Sequence, residues 1–184
     1  MTDLTGHLLV AMPSMGDERF ARAVIFLCAH GEEGAMGIVV NRPTPDMKLR
    51  DLAAHLEVEA KDPRDLPIHM GGPVEPGRGF VLHSDDWDGE VSTTGAGAGF
   101  ALTSTRDAVE ALAAGDGPTC ALMALGYSGW GEGQLEGEIG QGAWLTTPAT
   151  RDLVFDVPDA EKWHAALRAI GVDPVSLSSQ VGRA

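Results

Sequence analysis

The chain is short of positive charge. It carries 13 Lys and Arg against 27 Asp and Glu, a net charge of −14 over 184 residues. Its nearest approach to a basic cluster, Arg19 and Arg22, follows directly on Asp17 and Glu18. Duplex nucleic acid and anionic membrane surfaces are held by clustered basic faces, so direct binding to either is disfavoured. Cysteine is nearly absent too. Cys28 and Cys120 lie far apart, each inside an apolar run and neither in a C-x-x-C or zinc spacing. They read as buried free thiols of a cytoplasmic protein in a reducing compartment. No apolar run approaches the roughly 20 residues that span a bilayer. The start, "MTDLTGHLLVAMPSMGDERF", lacks the basic and apolar regions of a secretory signal. No repeat of fixed period is visible, which argues against a solenoid. The expectation is one domain over residues 1–184, with a loose tail at 175–184.

What is present mixes hairpins with helices. "GHLLVAM" (6–12) reads as a buried strand, and "PSMGDERFARA" as a turn and a brief helical stretch. "VIFLCAH" (24–30) and "AMGIVV" (35–40) flank the turn "GEEG" as a hairpin. "NRPTPD" ends it, because prolines do not continue a central strand. "MKLRDLAAHL" (47–56) has leucines at helical spacing. "IHMGGPVEPGRGFVLHS" holds two short strands about a Gly/Pro turn, and "DDWDGEVSTTGAGAG" is an acidic, mobile connection. "FALTS" is a strand end. Ser104 caps a helix over 105–114 that Gly115 stops. "CALMAL" (120–125) is a central strand, "GQLEGEIG" a short helix, and "AWLTTPA" and "LVFDVP" are strand-like. "DAEKWHAALRAIG" is the clearest amphipathic helix, with Asp159 as its cap and Gly171 as its stop. No regular β-α-β alternation appears, so the fold class is α+β.

Catalytic patterns fail on spacing. "GYSGW" (126–130) places Gly126 two before Ser128, but Trp130 stands where a nucleophile elbow needs its second glycine. "TGAGAG" (94–99) lacks the lysine of a Walker loop and leads into a strand rather than a helix. "HSDDWD" (83–88) lacks the calcium-loop pattern. His69 could join His83 across paired strands on a transition metal, but both read better as ordinary core or surface histidines. Glu136 and Glu138 flank Gly137. They form an acid–base pair only if the helix breaks there, and otherwise a solvated edge. No cofactor or metal is expected. "NRP" (Asn41, Arg42, Pro43) and "GGPV" (Gly71, Gly72, Pro73, Val74) place special turn chemistry directly after apolar strands.

Taken in order, "LLVAMPSMGDERFARAVIFLCAHGEEGAMGIVVNRP", "GGPVEPGRGFVLH", "LGYSGWGEGQLEGEI", "WLTTPA" and "VFDVPDAEKWHAALRAIGVDP" resemble the YqgE/AlgH family of small bacterial proteins over nearly the whole chain. The resemblance implies a compact α+β fold, in which a branched mixed sheet with a small closed barrel is surrounded by helices. It supplies no settled activity. One member's name links it to the control of alginate production, and such proteins are often labelled transcriptional regulators. Two positions depart from the family, which commonly has Ala at Ser128 and Asn at Gly142. "GYSGW" then reads as a signature turn from a central strand into a helix, with Tyr127 and Trp130 covering the core. The leading expectation is a non-enzymatic regulatory or binding protein acting through a protein or small-molecule partner. The alternative is an enzyme built near Asn41, His69, Tyr127 and Glu136. Direct DNA binding ranks below both. The candidate residues are Asn41, Arg42, Pro43, His69, Gly71, Gly72, Pro73, Gly126, Tyr127, Gly129, Trp130, Gln134 and Glu136. A single open pocket shared by the three signature segments would favour an enzyme.

Overall fold

Strands β1 (His7–Ala11) and β2 (Val24–Gly31) are near-continuous apolar runs because both of their faces are buried. Leu8, Val10, Val24, Phe26 and Cys28 point into one core, while Leu9, Ala11, Ile25 and Leu27 point into a second. The computed structural model describes residues 2–61, 64, 66–88, 93–97, 99–104 and 106–175. The expected hairpin partner of β2 is β3 (Gly34–Val39), which is followed by β4 (Pro43–Lys48) and α1 (Leu49–His55). Then come β5 (Pro67–Met70), β6 (Val74–Ser84), β7 (Thr93–Gly95), β8 (Phe100–Thr103) and α2 (Arg106–Ala113). The chain continues through β9 (Ala121–Gly131), α3 (Gln134–Gly140), β10 (Trp144–Pro148) and α4 (Asp159–Ile170).

The fold is α+β, as expected, built among the described residues on one branched and mixed sheet of ten strands. The main path runs β10-β1-β2-β3-β9-β6-β8-β7, and β5 pairs with both β4 and β9. Among the described residues only the β5–β9 ladder is parallel. The sheet curls into a half-barrel. Its inner face holds Phe26, Ile38, Phe80, Leu82, Phe100 and Leu122, which α4 covers with Trp163, Ala166 and Leu167. Two further cores line the outside. Trp130, Leu135 and Trp144 cover the back of β1–β3 with α3, and Leu49, Ala108 and Leu112 cover β5, β6 and β9 with α1 and α2. Where β7 approaches β1, the contact is backbone on backbone, because a Cβ on Gly97 would lie 2.7 Å from Gly6 Cα.

Several sequence expectations are corrected. "GYSGW" is not a turn. It is the second half of β9, which runs on to Gly131, and the reversal into α3 falls at Gly133 (φ 67°). Gly126 (φ 73°) acts as an irregularity within the strand. Opposite it, β6 steps from Val74 against Tyr127 to Gly79 against Leu125. "LVFDVP" is not a strand either. Asp152–Asp156 form one π-helical turn, since a short apolar run does not distinguish a strand from a buried helical segment. "PSMGDERFARA" forms turns and no helix, and Arg22 interrupts it with a left-handed φ of 56°. "NRPTPD", expected to end the hairpin, leads instead into β4, which takes in Met47 and Lys48 of the expected helix and among the described residues pairs only with β5, an edge position that suits proline. Residues 93–95 of the expected loop pair with β8, while 89–92, 98 and 105 lie outside the described residues. So does the expected tail beyond Val175. The cysteines are free, Cys28 buried and Cys120 only half-buried. Burial pushes the Cys28 thiol up to about 12, which leaves it inert at neutral pH. Among the described residues no helix is long and apolar enough to cross a membrane.

The branch of the sheet tolerates no side chain at three glycines. A Cβ on Gly71 would lie 2.2 Å from the Gly126 carbonyl oxygen, one on Gly72 2.1 Å from the Tyr127 carbonyl carbon, and one on Gly126 2.5 Å from the Gly72 carbonyl oxygen. All three obstructions are backbone. Gly72→Ala is expected to lose at least ~3 kcal/mol, on the order of 10 °C in Tm, or to fail to accumulate as soluble protein. Gly137→Ala, in open space on α3, is expected to gain up to ~1 kcal/mol. Thermal denaturation of the two variants checks both, and a soluble Gly72→Ala of unchanged Tm contradicts the packing argument.

Candidate functional site

The three signature segments meet at the branch, and among the described residues His69 and Tyr127 line two separate clefts. Gly71 donates its N–H to the Leu125 carbonyl (2.8 Å) and accepts from the Val39 N–H (2.9 Å), so it bridges β3 and β9. From there β3 leads into Asn41 and Arg42, whose side chains reach back over the 19–23 corner. Asn41 accepts from the Val24 N–H (2.9 Å) and donates to the Arg22 carbonyl (2.9 Å). The Arg42 guanidinium donates to the carbonyls of Arg19 and Ala21. Pro43 opens β4 opposite His69, and Pro73 is exposed beyond the branch. Tyr127 is half-buried with its ring edge-on to Phe80, and Gly129 is exposed in β9. Trp130 is buried.

A buried polar row fixes α4 against this branch. His69 Nε2 lies 3.0 Å from Asp159 Oδ2, and its Nδ1 lies 3.1 Å from the Met123 carbonyl oxygen. Carbonyl and carboxylate are both acceptors, so the ring N–H has a partner on either side. Lys162, 3% exposed, donates to Asp159 Oδ1 (2.8 Å) and to the Val40 carbonyl (2.8 Å). Burial raises the Asp159 carboxyl, but hydrogen bonds from His69 and Lys162 and the charge of Lys162 outweigh it and hold the group below the ordinary value. Burial pushes the Lys162 amine down, opposed by Asp159. Asp159 is therefore not a cap. The N-cap position is Pro158, with no side-chain cap, and the carboxylate faces inward. A small cleft of about 190 Å³ adjoins the row.

The helix so anchored forms one wall of a larger cleft of about 920 Å³, and the corner held by Asn41 and Arg42 forms the other. Met12, Met15 and Val172 supply apolar lining, and the Trp163 indole is fixed by donating to the Ala11 carbonyl (2.8 Å). Arg22, His164 and Arg168 supply the polar groups, with Asp173 as the one acid among the described residues of the lining. Arg22 lies over the Trp163 ring, 5.4 Å from its centroid. Its left-handed backbone is uncommon for a residue with a side chain, and such conformations gather at functional sites.

The remaining candidates have structural partners. Ser128 is 1% exposed, and its Oγ finds no hydrogen-bond partner among the described residues, so Ala would lose no polar contact there. Gly142 has φ 76°, a conformation that Asn tolerates best among residues with side chains. His83 is buried, facing the Ser84 carbonyl and the Thr103 hydroxyl, and burial pushes it down. In "HSDDWD", Asp85 pairs with Arg151, while hydrogen bonds from Ser84 and Thr119 bring Asp86 down to about 2. Among the described residues no group of three or more His, Cys, Asp or Glu is placed to hold a metal. Glu136 and Glu138 are neither an acid–base pair nor a solvated edge. Glu136 meets His30 Nε2 at 2.9 Å, and Glu138 Oε2 accepts from both indoles, Trp130 (3.0 Å) and Trp144 (2.8 Å). Gln134 links Glu138 to the Gly131 N–H. Asp159, Lys162, Arg22 and Arg168 were missed. The only signal for Lys162 was a charged residue beside Trp163 on a helix whose apolar face turns inward.

A family model for AlgH-like proteins matches residues 8–175. A UPF0301 protein of Cereibacter sphaeroides is 50% identical over 99% of this chain and all of its own length, and one from Ruegeria pomeroyi is 50% identical with the same coverage. The solution structure of the AlgH protein from Pseudomonas aeruginosa superimposes with a TM-score of 0.79 at 42% identity, covering 100% of this chain and 97% of that one. A Corynebacterium diphtheriae protein shares the fold at 20% identity, with a TM-score of 0.71 over 92% of this chain and 88% of its own. The chain belongs to the AlgH-like family.

Asp159→Asn tests the buried row. Removing one partner of a fully buried ion pair costs about 3–5 kcal/mol, and Asp159 keeps 20% side-chain exposure, so roughly 2–3 kcal/mol is expected near neutral pH. The folded-state value is depressed, so this stability is present above the ordinary 3.8 and is lost as pH falls through the lower folded value. Denaturant titrations from pH 7 to pH 3 should show the gap between variant and parent narrowing at the acid end. A gap that stays flat, or none at pH 7, contradicts the assignment.

Proposed function

We infer that this chain is a non-enzymatic binding protein, acting through a small-molecule or protein partner seated in the cleft between α4 and the 12–22 corner. One observation carries the reading. Arg22 and Arg168 line an open cleft without an ion-pair partner among the described residues, while Asn41, His69 and Gln134 of the signature segments are engaged in contacts that hold the fold. Concave sites of this kind are mostly apolar with a few placed polar groups, and about 300–1,000 Å³ suits a small ligand. The regulatory role associated with the family then follows indirectly, as occupancy changes what the cleft walls present to a partner. The net charge of −14 argues against direct duplex contact. The two free thiols suit a reducing cytoplasm.

A second reading, an enzyme at the small cleft beside Lys162, is favoured by burial pushing that amine toward its neutral, nucleophilic form. Against it, the amine is already engaged by Asp159 and the Val40 carbonyl. The alternative built on Asn41, His69, Tyr127 and Glu136 is weakened because these residues serve separate contacts.

The test is ligand retention. The purified protein is incubated with a small-molecule extract of the parent bacterium and desalted, and whatever is released on denaturation is weighed by mass spectrometry. A compound held near one equivalent and chemically unaltered is expected. It should be lost in Pro13→Trp, which fills the cleft from its exposed rim, and kept in Glu136→Gln. No retained compound, or turnover that Lys162→Arg abolishes, contradicts the reading.

A further inference from the structure

The cleft is a cationic place on an acidic protein. Its lining carries two guanidinium groups and an imidazole against one carboxylate, on a chain whose net charge is −14. That carboxylate, Asp173, accepts from the Val175 N–H at the cleft's own edge. Neither Arg22 nor Arg168 has an acidic partner among the described residues, and unlike Arg42 and Arg64, whose guanidiniums donate to backbone carbonyls, both line a cleft.

The geometry around Arg22 is built. Its carbonyl is held by Asn41 and that of its neighbour Ala21 by Arg42, so its left-handed backbone is fixed from β3. Its guanidinium lies on the Trp163 ring, and the indole N–H of that ring is tied to the Ala11 carbonyl. An arginine stacked on an aromatic face keeps its in-plane N–H fork free for a planar oxyanion. Arg168 stands on α4, which the buried row fixes. The same lining includes Met12, Met15 and Val172, apolar surface that a charge alone does not need.

We propose that this cleft binds small organic anions, molecules with a carboxylate, sulfonate or phosphate group on an apolar or aromatic body, with Arg22 and Arg168 holding the anionic group and the methionine and Trp163 surfaces holding the body. The proposal rests on the binding reading above and adds the ligand class. Asn41 and Arg42 act as positioning residues for Arg22, which gives the "NRP" segment a role that turn chemistry alone does not supply.

The test uses two fluorescent probes of nearly the same shape, 8-anilinonaphthalene-1-sulfonate and its uncharged analogue N-phenyl-1-naphthylamine, titrated into the full chain at low ionic strength. The sulfonate is expected to bind saturably and at least about tenfold more tightly than the neutral probe, as charge-assisted hydrogen bonds imply. Added salt should weaken the sulfonate alone. Arg22→Asn with Arg168→Gln, which keeps a residue suited to the left-handed position, should remove that preference and leave neutral binding within about twofold. Arg168→Glu alone, on an exposed turn of α4, should do the same in part, and Tm confirms that the variants fold. Equal binding of both probes to the parent chain, or a preference that survives the double variant and salt, overturns the ligand class while the cleft still binds. Binding of neither probe, or binding of both that Pro13→Trp leaves intact, overturns the binding reading as well.

Discussion

Everything in this fold turns on a backbone crossing. Gly71 and Gly72 pass Gly126 and Tyr127 so closely that no Cβ fits at any of the three glycines. At that point β9 exchanges one neighbour for another, with β5 paired along Ile68–Met70 and β3 along Gly34–Gly37. An ordinary strand pair leaves room for side chains on both faces. Here the two chains are locked by Gly71 bonding to Leu125 on one side and Val39 on the other. The sheet can therefore branch and curl without leaving buried amides unpaired, a defect that would cost about 1–3 kcal/mol for each group.

Both walls of the cleft hang from this crossing. Along β3 the chain reaches Val40, Asn41 and Arg42 within three residues, and these hold Lys162 on one side and the 19–23 corner on the other. Along β5 it reaches His69, which holds Asp159. Asp159 and Lys162 fix the first turn of α4, and the next two turns present Trp163, His164 and Arg168 to the cleft. A buried ion pair is weak evidence for stability in itself. Here it sets the register and orientation of a helix against the sheet.

Much of this architecture was legible in the sequence and some was not, for definite reasons. The two-faced strands "LLVA" and "VIFLC" read correctly because both faces are buried. Residues 159–170 read correctly as a helix because Trp163, Ala166 and Leu167 carry the period. The family resemblance pointed to the glycines of "GGPV" and "GYSGW", but their spacing suggested turns. A glycine required by a close crossing and one required by a reversal look alike in one dimension. Asp159 at the head of a helix looked like a cap, since only tertiary structure reveals that a lysine and a histidine lie on its inner side. The cleft itself was invisible, because Arg22 and Arg168 are 146 positions apart, in two separate resemblance segments that no spacing rule joins.

Amide hydrogen exchange at the crossing tests the central claim most directly. If the crossing organises the molecule, the amides of Gly71 and Val39 open only when the whole chain unfolds. Their opening free energy under native conditions should then equal the global stability from denaturant unfolding. Exchange of those two amides through a local opening of clearly lower free energy, with β1, β2 and α4 still protected, would contradict the account.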